Sequence, residues 1–438
     1  MLAEAIAVKF RQVLALRERV DESDATAYQA ELIRQLLLHA RAHVPFYSDR
    51  LNAIDHGDSF DLDRWSNLPL VTRTDIQSNA QSLRAGAVPP FIGDLEESRT
   101  SGSTGRPLVF TKAEIQEVAS AAQTDRVFDW WGLDGRKTLA TFRSTYDESA
   151  RGGTNDPRGW KLGVRGGMRQ IIELMTDIDS QLDWLLSVKP DYVIARGGVH
   201  IAKLSRRSLE RNLTIPLTAM FSLGSLVSEE ARELARGAFK ITIADFYGAT
   251  ETGLIAGQCP DCGLYHTCDE TILVEVLRPD GSQCDDGEAG RIVVTPFYAY
   301  AMPFIRYEIG DYAVRGPRRA PCGRSLGSLH TITGRYRAAF VLRDGRVVQP
   351  YANATKIGAH LSYRQIQVVQ TDYDRIEIRY VPGADAREAN LVEIKKIMSQ
   401  LLDTPVTVTL TPTDRIESGP YGKYEETLSL VPRPSGGG

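Results

Sequence analysis

"ITIADFYGATETG" occupies residues 241–253 and joins an apolar, strand-like run to a turn that carries an aromatic ring, a glycine and a carboxylate. The run is the last of five, and helical stretches such as 113–131, 178–188 and 228–239 separate these runs. The earlier runs are "PLVFT" (107–111), "TLATF" (138–142), "DYVIAR" (191–196) and "LTAMFSLG" (217–224). Strands that alternate with helices predict an α/β fold with a largely parallel sheet.

The pattern changes twice further along the chain. From 272 to 314, β-rich runs are joined by Asp-Gly and Gly-rich turns, which is typical of an antiparallel β subdomain. After "ITGR" (332–335) the residues predict a small α+β unit. We therefore expect a large N-terminal domain over 1–334, with mixed sheets flanked by helices plus the β subdomain, a small C-terminal α+β domain over 335–432, and a disordered tail over 433–438.

Composition excludes several classes of protein. The chain has 438 residues, a formal net charge of −4 and 42% hydrophobic residues, which is ordinary for a globular protein and gives no electrostatic footprint for nucleic acid. No stretch approaches the roughly 18 apolar residues needed to span a bilayer. The N-terminus has no signal-peptide pattern, and five cysteines are too few and odd in number for a secreted disulfide framework. We expect a cytoplasmic protein with no nucleic-acid or membrane partner.

A polar, glycine-rich loop precedes the first apolar run. "SRTSGSTGRPLVF" (98–110) has no bulky side chain between Thr100 and Gly105. Exposed backbone N–H groups in such a turn can form an anion-binding nest, and hydroxyls add donors. The loop is not a Walker A motif, and taken alone it is more often a linker. Its candidate phosphate-binding residues are Thr100, Ser101, Gly102, Ser103, Thr104 and Gly105.

Three further segments carry side chains suited to a nucleotide. Tyr247 can stack on a ring, and Glu251 can hold Mg²⁺ beside phosphates. Asp311 follows a glycine in "FIRYEIGDYAV" (304–314), where a carboxylate can take both hydroxyls of a ribose. Lys423 follows a glycine near the C-terminus. Taken singly, each of these residues has an ordinary interpretation as a loop acid, a turn aspartate or a surface lysine.

In this order and spacing the segments resemble the core motifs of the adenylate-forming (ANL) superfamily, over about residues 30–430. "TSGSTGRP" is similar to the phosphate loop, "YGATE" to the aromatic–glutamate motif, "RYEIGD" to the ribose motif, "ITGR" to the hinge and "GKYEE" to the catalytic-lysine motif. "HVPFYSDRL" (43–51), "LPLVTRTDI" (68–76) and "PCGRSLGSL" (321–329) resemble the phenylacetate–CoA ligase branch, including its CapK-type relatives. In the second of these segments we expect a helix start with Thr74 as the N-cap.

The resemblance implies an activity in two half-reactions. A carboxylate, aromatic or arylacetic for this branch, attacks the α-phosphate of ATP, and pyrophosphate leaves an acyl-adenylate. A thiol such as that of coenzyme A, or an amine, then takes the acyl group. The chemistry rests on positioning and on charge neutralisation at the phosphoryl centre. The implied cofactors are ATP, Mg²⁺ and coenzyme A, and the implied partner is a small-molecule carboxylic acid.

The resemblance also implies residue roles. Lys423 bridges the carboxylate and the α-phosphate, Thr250 contacts the α-phosphate, and Glu251 binds Mg²⁺. Asp311 and Arg335 hold the ribose, and the small domain rotates about the hinge between the two steps. The remaining nucleotide-binding residues are the phosphate loop (Thr100 to Gly105), Ser222, Gly224, Asp245, Phe246, Tyr247 and Gly248.

Two departures from the family pattern leave alternatives open. Tyr336 and Arg337 stand where the branch usually has acidic residues, and the segment that places coenzyme A is poorly matched. An amine acceptor in a natural-product or polysaccharide pathway therefore remains an alternative. An inactive homologue that serves as a scaffold is a second alternative, and a homodimer is compatible with the sequence.

Four of the five cysteines have metal-ligand spacing. "CPDCGLYHTC" (259–268) and a distant cysteine form a C-x₂-C arrangement with a nearby histidine. Relatives carry a similar set, although Ala320 replaces one of their cysteines, so either Cys262 or Cys268 completes the site. Four ligands leave no open position, which predicts a structural zinc. The ligands are four of the five residues Cys259, Cys262, His266, Cys268 and Cys322.

The resemblance places the acyl substrate near three strand ends. Its candidate wall residues are Phe142, Tyr146, Gly197 and Phe221. Arg143 and Arg196 are unusual at such a site. They could pair with a second polar group on the acid, or they could be ordinary surface arginines.

Overall fold

The computed structural model describes most of the chain as two compact units. The described residues are 2–57, 59–100, 108–143, 154–156, 159–174, 176–224, 227–335, 340–348, 357–383, 389–402, 404–416 and 427–431. Among them, residues up to 332 form the first unit and residues from 333 form the second. The predicted tail over 433–438 lies outside the described residues. In the part of the chain that is described, no helix is long and apolar enough to cross a membrane.

Seven helices are described in the first unit. For two of them, local residues explain where the helix begins and ends. They are α1 (Leu2–Arg17), α2 (Glu22–His43), α3 (Arg73–Ser78), α4 (Glu114–Trp130), α5 (Ile178–Val188), α6 (Gly198–Glu210) and α7 (Glu229–Phe239). The carboxylate of Asp177 caps α5, and the hydroxyl of Ser228 caps α7. Both helices end at lysines in the left-handed conformation, Lys189 and Lys240.

The strands of the first unit number sixteen within the described residues. They are β1 (Asp55–His56), β2 (Ser59–Phe60), β3 (Leu95–Arg99), β4 (Val109–Ala113), β5 (Leu139–Arg143), β6 (Thr154–Asp156), β7 (Arg169–Glu173), β8 (Tyr192–Ala195), β9 (Ala219–Leu223), β10 (Ile243–Ala249), β11 (Gly253–Gln258), β12 (Tyr265–Thr267), β13 (Ile272–Leu277), β14 (Ala289–Pro296), β15 (Tyr307–Arg315) and β16 (Ser328–Arg335).

One twelve-stranded sheet dominates this unit, in the order β13-β14-β15-β16-β12-β11-β10-β9-β8-β5-β7-β6. Its central strands β7, β5, β8, β9 and β10 run parallel. The apolar runs predicted β5, β8, β9 and β10, but no run predicted β7. The first apolar run behaves differently, because β4 pairs antiparallel with β3 in a separate two-stranded sheet. The antiparallel strands continue the same sheet through the pair β10·β11.

Helices cover both faces of the parallel section, and aromatic side chains mark the two faces. On one face, Phe128 of α4 packs edge-on against Phe221 at 5.2 Å and also contacts Phe246. On the other face, Phe142 packs against Trp184 of α5 and His200 of α6. Successive residues of a strand point to opposite faces, so each strand contributes to both cores.

The second unit is a small α+β domain. Its described elements are β17 (Phe340–Val341), β18 (Val347–Val348), β19 (Tyr363–Asp372), β20 (Arg375–Pro382), α8 (Leu391–Leu401), β21 (Thr407–Pro412) and β22 (Thr427–Ser429). Four strands form a sheet in the order β21-β20-β19-β22. Helix α8 buries Ile394 and Met398 in a core with Val368 and Ile378 of the sheet.

A buried arginine ties the N-terminal segment of the first unit to the sheet. Arg306 is 2% exposed and adopts the left-handed conformation, with φ of 53°. Its Nη1 donates to the carbonyl oxygens of Leu68 at 2.7 Å and Ser66 at 2.9 Å, and its Nη2 pairs with Glu275 at 3.0 Å. Its own carbonyl accepts from the Val71 N–H at 2.9 Å. One side chain therefore satisfies a buried carboxylate and loop carbonyls that have little access to water.

We expect Arg306→Gln to destabilise the protein by about 3–5 kcal/mol, because it leaves Glu275 as an uncompensated buried charge. The measurement is the unfolding transition followed by calorimetry and by denaturant titration. The matched control is Arg136→Gln, which breaks an exposed pair with Asp134 and changes stability by no more than about 0.5 kcal/mol. Equal effects of the two substitutions would contradict the anchoring role of Arg306.

Candidate functional site

The turn after the last parallel strand holds a buried carboxylate. Glu251 follows β10 and is 5% exposed, and its Oε1 accepts a hydrogen bond from the Tyr307 hydroxyl at 3.2 Å. Thr250, next to it in the turn, is exposed. Gly248 permits a close approach of the two strands, because a Cβ there would stand 2.6 Å from the carbonyl oxygen of Gly253. The turn can thus present one acid and one hydroxyl at the carboxyl edge of the sheet.

The aromatic residue of this turn meets the predicted ribose-binding acid. The Tyr247 hydroxyl donates to Asp311 Oδ2 at 2.8 Å, and both side chains are half-buried. Tyr247 lies on β10 and Asp311 on β15, strands that are not neighbours in the sheet. The structure therefore brings together two motifs that lie more than fifty residues apart in the sequence.

Arg73 joins this group, and the sequence did not identify it. The N-cap of α3 is Thr72, and not Thr74 as predicted, because the acid three residues later is Asp75 and completes a capping box. Arg73 is then the first helical residue, and its Nη2 donates to Thr100 Oγ1 at 3.1 Å. No local pattern reports a contact between residues so far apart in the sequence.

Arg73 also acts on the tyrosine that holds Glu251. Burial raises the pKa of the Tyr307 phenol, the Glu251 carboxylate raises it further, and Arg73 lowers it. The Tyr307 hydroxyl therefore stays protonated and remains a donor to Glu251 at neutral pH. A positive group, a hydroxyl donor and a carboxylate thus lie together beside the first residue of the predicted phosphate loop.

A second buried acid has an unused acceptor atom. Asp245 is 5% exposed, and its Oδ2 accepts from the Tyr265 hydroxyl at 2.9 Å. Its Oδ1 has no hydrogen-bond partner among the described residues. Ser222 lies beside Asp245 in the register of β9 and β10, and Gly224 follows at the exposed strand end. This oxygen is buried, so it is not accessible from the edge of the sheet.

The predicted adenine neighbour Phe246 lies in the core. It is 5% exposed and packs against Phe221 with a centroid distance of 5.0 Å. Phe142 and Phe221, both predicted to wall the acyl site, lie on opposite faces of the sheet and are each 1% exposed or less. The structure does not bring these two rings together. Gly197 is buried, with φ of 82°, and caps the N-terminus of α6.

Three cysteines and a histidine form a compact cluster. The candidate ligand atoms of Cys259, Cys262, His266 and Cys322 all lie within 4.8 Å of one another. His266 Nε2 is 3.2 Å from the Cys322 sulfur and 3.6 Å from the Cys262 sulfur. The hairpin between β11 and β12 supplies the first three residues, and the loop after β15 supplies Cys322. The donor set and its spacing fit a tetrahedral site for Zn²⁺.

The geometry distinguishes between the two cysteines that the spacing left equivalent. Cys268 is 1% exposed and belongs to the main hydrophobic core instead of the cluster. Cys284 is also buried in that core, as a residue unrelated to the cluster. Burial raises the pKa of the Cys262 thiol to about 12, so metal binding has to displace its proton.

Arg324 packs against the cluster from outside. Its Nη1 donates to the Cys259 sulfur at 3.0 Å and to Asp261 Oδ2 at 2.7 Å. The guanidinium also lies over the Trp130 ring at 4.8 Å. A cation at this position offsets negative charge on cysteine thiolates.

Several predicted residues lie outside the described part of the chain. These are Ser101, Gly102, Ser103, Thr104 and Gly105 of the phosphate loop, Tyr146, and Lys423. Arg335 is described as the last residue of β16 through its backbone alone. The roles of these residues stay predictions.

Comparison with known proteins agrees with the motifs. No family model matches the chain. Phenylacetate–coenzyme A ligase of Escherichia coli (strain K12) is 23% identical over 351 residues, which is 75% of each chain. The resemblance predicted from the motifs is confirmed. The chain is thus similar in sequence to an enzyme of the phenylacetate–CoA ligase type.

Solved structures of acyl-activating ligases share the fold of this chain. 2-Hydroxyisobutyryl-CoA ligase in the postadenylation state aligns with a TM-score of 0.71 and 17% identity, over 95% of this chain and 91% of that chain. MatB from Rhodopseudomonas palustris, with ATP bound, aligns with a TM-score of 0.56 and 15% identity, over 80% of this chain and 71% of that chain. The amide bond synthetase McbA from Marinactinospora thermotolerans aligns with a TM-score of 0.53 and 14% identity, over 75% of this chain and 67% of that chain. The predicted fold class is confirmed.

Asp245 makes stability depend on pH. Burial raises its pKa to about 6, although Tyr265 lowers it, so the ionised form destabilises the fold. The cost is absent below the pKa of the unfolded chain, near 4, and is fully present once the pH exceeds about 6. We expect Asp245→Asn to be more stable than wild type at pH 8, by on the order of 3 kcal/mol, with the gap closing towards pH 4.

Calorimetric unfolding at several pH values measures this gap. Tyr265→Phe is the comparison, because it removes a hydrogen bond that lowers the pKa of Asp245 and so increases the cost at pH 8. A stability difference between Asp245→Asn and wild type that does not change with pH would show that Asp245 is not the group responsible.

Proposed function

We propose that this chain uses ATP to activate a carboxylic acid as an acyl-adenylate and then transfers the acyl group to a thiol such as that of coenzyme A. In the first step, a carboxylate oxygen bonds to the α-phosphorus as the bond to pyrophosphate breaks. In the second step, a thiolate sulfur bonds to the acyl carbon, and AMP leaves. The observation that carries the proposal is the meeting of Tyr307 with Glu251 and of Tyr247 with Asp311 at one edge of the sheet.

The described residues suit the parts of a nucleotide. Asp311 takes the ribose hydroxyls together with Arg335, and Tyr247 holds the Asp311 carboxylate in place. Asp245 and Ser222, which lie side by side on β10 and β9, border the adenine. Thr250 donates to the α-phosphate. Each assignment matches an acceptor or donor of the protein to the opposite group on ATP.

Glu251 is the residue that holds Mg²⁺ in this proposal. A carboxylate oxygen is the ligand that Mg²⁺ prefers, and the metal neutralises phosphate charge when bound. Tyr307 fixes the carboxylate through one oxygen and leaves the other available. Arg73 adds a positive charge beside Thr100, at the start of the loop assigned to the β- and γ-phosphates.

The acid and its acceptor follow from the relatives. We assign an aromatic or arylacetic acid because the Escherichia coli relative is a phenylacetate–coenzyme A ligase. Transfer to an amine is the second candidate, because an amide bond synthetase shares the fold and the hinge lacks the usual acidic residues. A scaffold without activity is the third. The cytoplasm is the proposed location, in keeping with five free cysteines, and a homodimer remains a prediction.

The test of the activity is acid-dependent exchange of labelled pyrophosphate into ATP over aryl, arylacetic and short aliphatic acids. We expect exchange in the wild type and a loss of at least about 100-fold in Lys423→Ala and in Glu251→Gln, since each removes charge stabilisation at the phosphoryl centre. The control is Lys396→Ala, an exposed lysine of α8 that pairs with Glu393. Coenzyme A and amines, added to the active acid, then identify the acceptor.

Other outcomes select other functions. ATP binding without exchange for any acid would support the scaffold. Release of orthophosphate or ADP in place of pyrophosphate would indicate a kinase or ATPase. No binding of ATP would overturn the assignment of the nucleotide site.

We also propose that Cys259, Cys262, His266 and Cys322 hold a structural zinc ion. The four ligand atoms lie within 4.8 Å of one another, and four protein ligands leave no position for a substrate. Arg324 balances the thiolate charge through Cys259. The zinc ion, when bound, would tie the β11–β12 hairpin to the loop after β15.

Zinc content distinguishes the ligands from the other cysteines. We expect about one zinc ion per chain by mass spectrometry in the wild type, and its loss in Cys262→Ser and in Cys322→Ser, because three ligands hold the ion more weakly. Cys268→Ser and Cys284→Ser keep the ion, since both residues lie in the hydrophobic core. Retention of zinc in Cys262→Ser with loss in Cys268→Ser would show that the ligand set is wrong.

A further inference from the structure

Arg196 lies at the carboxyl edge of the parallel sheet. It directly follows β8, whose last residue Ala195 is in register with Ser222 of β9. By the same register, Arg196 lies level with the last residues of β5 and β9. Ligands of open α/β sheets bind outside this edge, where Glu251 and the end of β9 already provide the nucleotide site.

The backbone of Arg196 is held in one position. Its N–H donates to His200 Nδ1 at 3.2 Å, and His200 Nε2 contacts Gln181 Oε1 at 2.7 Å. His200 is 8% exposed, and burial lowers its pKa to about 3, so the ring is neutral and Nδ1 can accept. Gly197, with φ of 82°, then turns the chain directly into α6.

The side chain of Arg196 points along the strand ends. Its Nη2 would stand 3.9 Å from a Cβ built on Gly224, the residue that follows β9. Gly224 has φ of 102° and no side chain, so this residue itself places no side chain beside the guanidinium. The positive charge therefore faces the region between β8 and β9 at the edge where the substrate binds in the proposed function.

In the described part of the chain, the guanidinium of Arg196 has no acidic partner. Among the described residues, no hydrogen bond or ion pair engages it, although its backbone is bonded. Arg207 and Arg211, on and just after the following helix, instead pair with Asp179 at 2.8 Å and 3.1 Å. The Arg196 side chain is exposed at the sheet edge, and the protein atoms that surround part of it lower its pKa. A partner of opposite charge from outside the chain would satisfy this group.

We propose that Arg196 binds a second carboxylate of the acid substrate, so that the chain activates dicarboxylic acids. The proposal rests on the proposed function and narrows its acid class. One carboxylate reacts with the α-phosphate, and the other accepts from the guanidinium, which can bind both of its oxygens at once. An aromatic acid with a second carboxylate on its ring satisfies both assignments.

A second arginine, Arg143, lies near Arg196 at the same edge of the sheet, but the proposal does not depend on it. That residue ends β5 at the neighbouring position of the edge and already has interactions of its own. It contributes positive potential beside Arg196. Arg196 is a specificity-determining residue, because it contacts the substrate away from the reacting atoms.

The experiment compares matched acids in the full-length protein. Phenylacetate is measured against its ring-carboxylated analogues, butyrate against succinate, and hexanoate against adipate, by pyrophosphate exchange and by calorimetric binding. In wild type we expect kcat/KM to favour one dicarboxylate over its monocarboxylate partner by at least about tenfold, the usual effect of a charged hydrogen bond. Arg196→Gln should reduce that ratio at least about tenfold, and Arg196→Lys should reduce it less. Arg207→Gln, an arginine paired on α6, should leave the ratio unchanged.

Measuring both binding and exchange tests the dicarboxylate proposal independently of the proposed ligase activity. Exchange with monocarboxylates and no effect of Arg196→Gln on the ratio would overturn the dicarboxylate proposal and leave the ligase intact, with Arg196 a surface arginine. Dicarboxylate binding that depends on Arg196, without exchange, would support this site and refute the activity. Neither binding nor exchange with any acid would overturn both. A correctly folded Arg196→Gln, checked by its unfolding temperature, is required for each comparison.

Discussion

The buried guanidinium of Arg306 is the interaction on which the candidate site depends. It binds the carbonyls of Ser66 and Leu68, and its backbone carbonyl binds the N–H of Val71. The N-terminal segment is thereby held alongside the start of β15. Tyr307, the next residue, points at Glu251, and Arg73 falls beside Thr100. The buried side chain of Arg306 thus helps to position Tyr307, Glu251 and Arg73.

The continuity of the sheet explains how distant motifs meet. β10 is the last parallel strand on one side and the first strand of an antiparallel hairpin on the other. The turn that carries Glu251 is therefore both the carboxyl end of a parallel strand and a hairpin connection. Parallel strands bring ligand-binding ends to one edge, and the antiparallel strands bring Asp311 across to Tyr247. The site needs both kinds of pairing.

The sequence patterns predicted the features that depend on residues close together in the chain, namely strand positions and motifs. Apolar runs predicted the parallel strands β5, β8, β9 and β10, and the motifs predicted the resemblance to acyl-activating ligases. They could not assign faces, because helices cover both sides of the parallel section and apolar residues on its strands point to both sides. Phe142 and Phe221 therefore looked alike in sequence but belong to different cores. Arg73 and the choice of Cys262 over Cys268 depend on tertiary contacts that no spacing encodes.

One strand, β11, connects the cysteine cluster to the turn that carries Glu251. β11 begins two residues after Glu251 and ends just before Cys259. Arg324 binds Cys259 and lies over Trp130 of α4, and the backbone N–H of Ser325 donates to the carbonyl of Glu18 at 2.9 Å. Coordination of the four ligands would fix the far end of β11 against these elements. Because a strand slips as a unit, fixing that end also fixes the close approach of Gly248 and Gly253 that shapes the Glu251 turn.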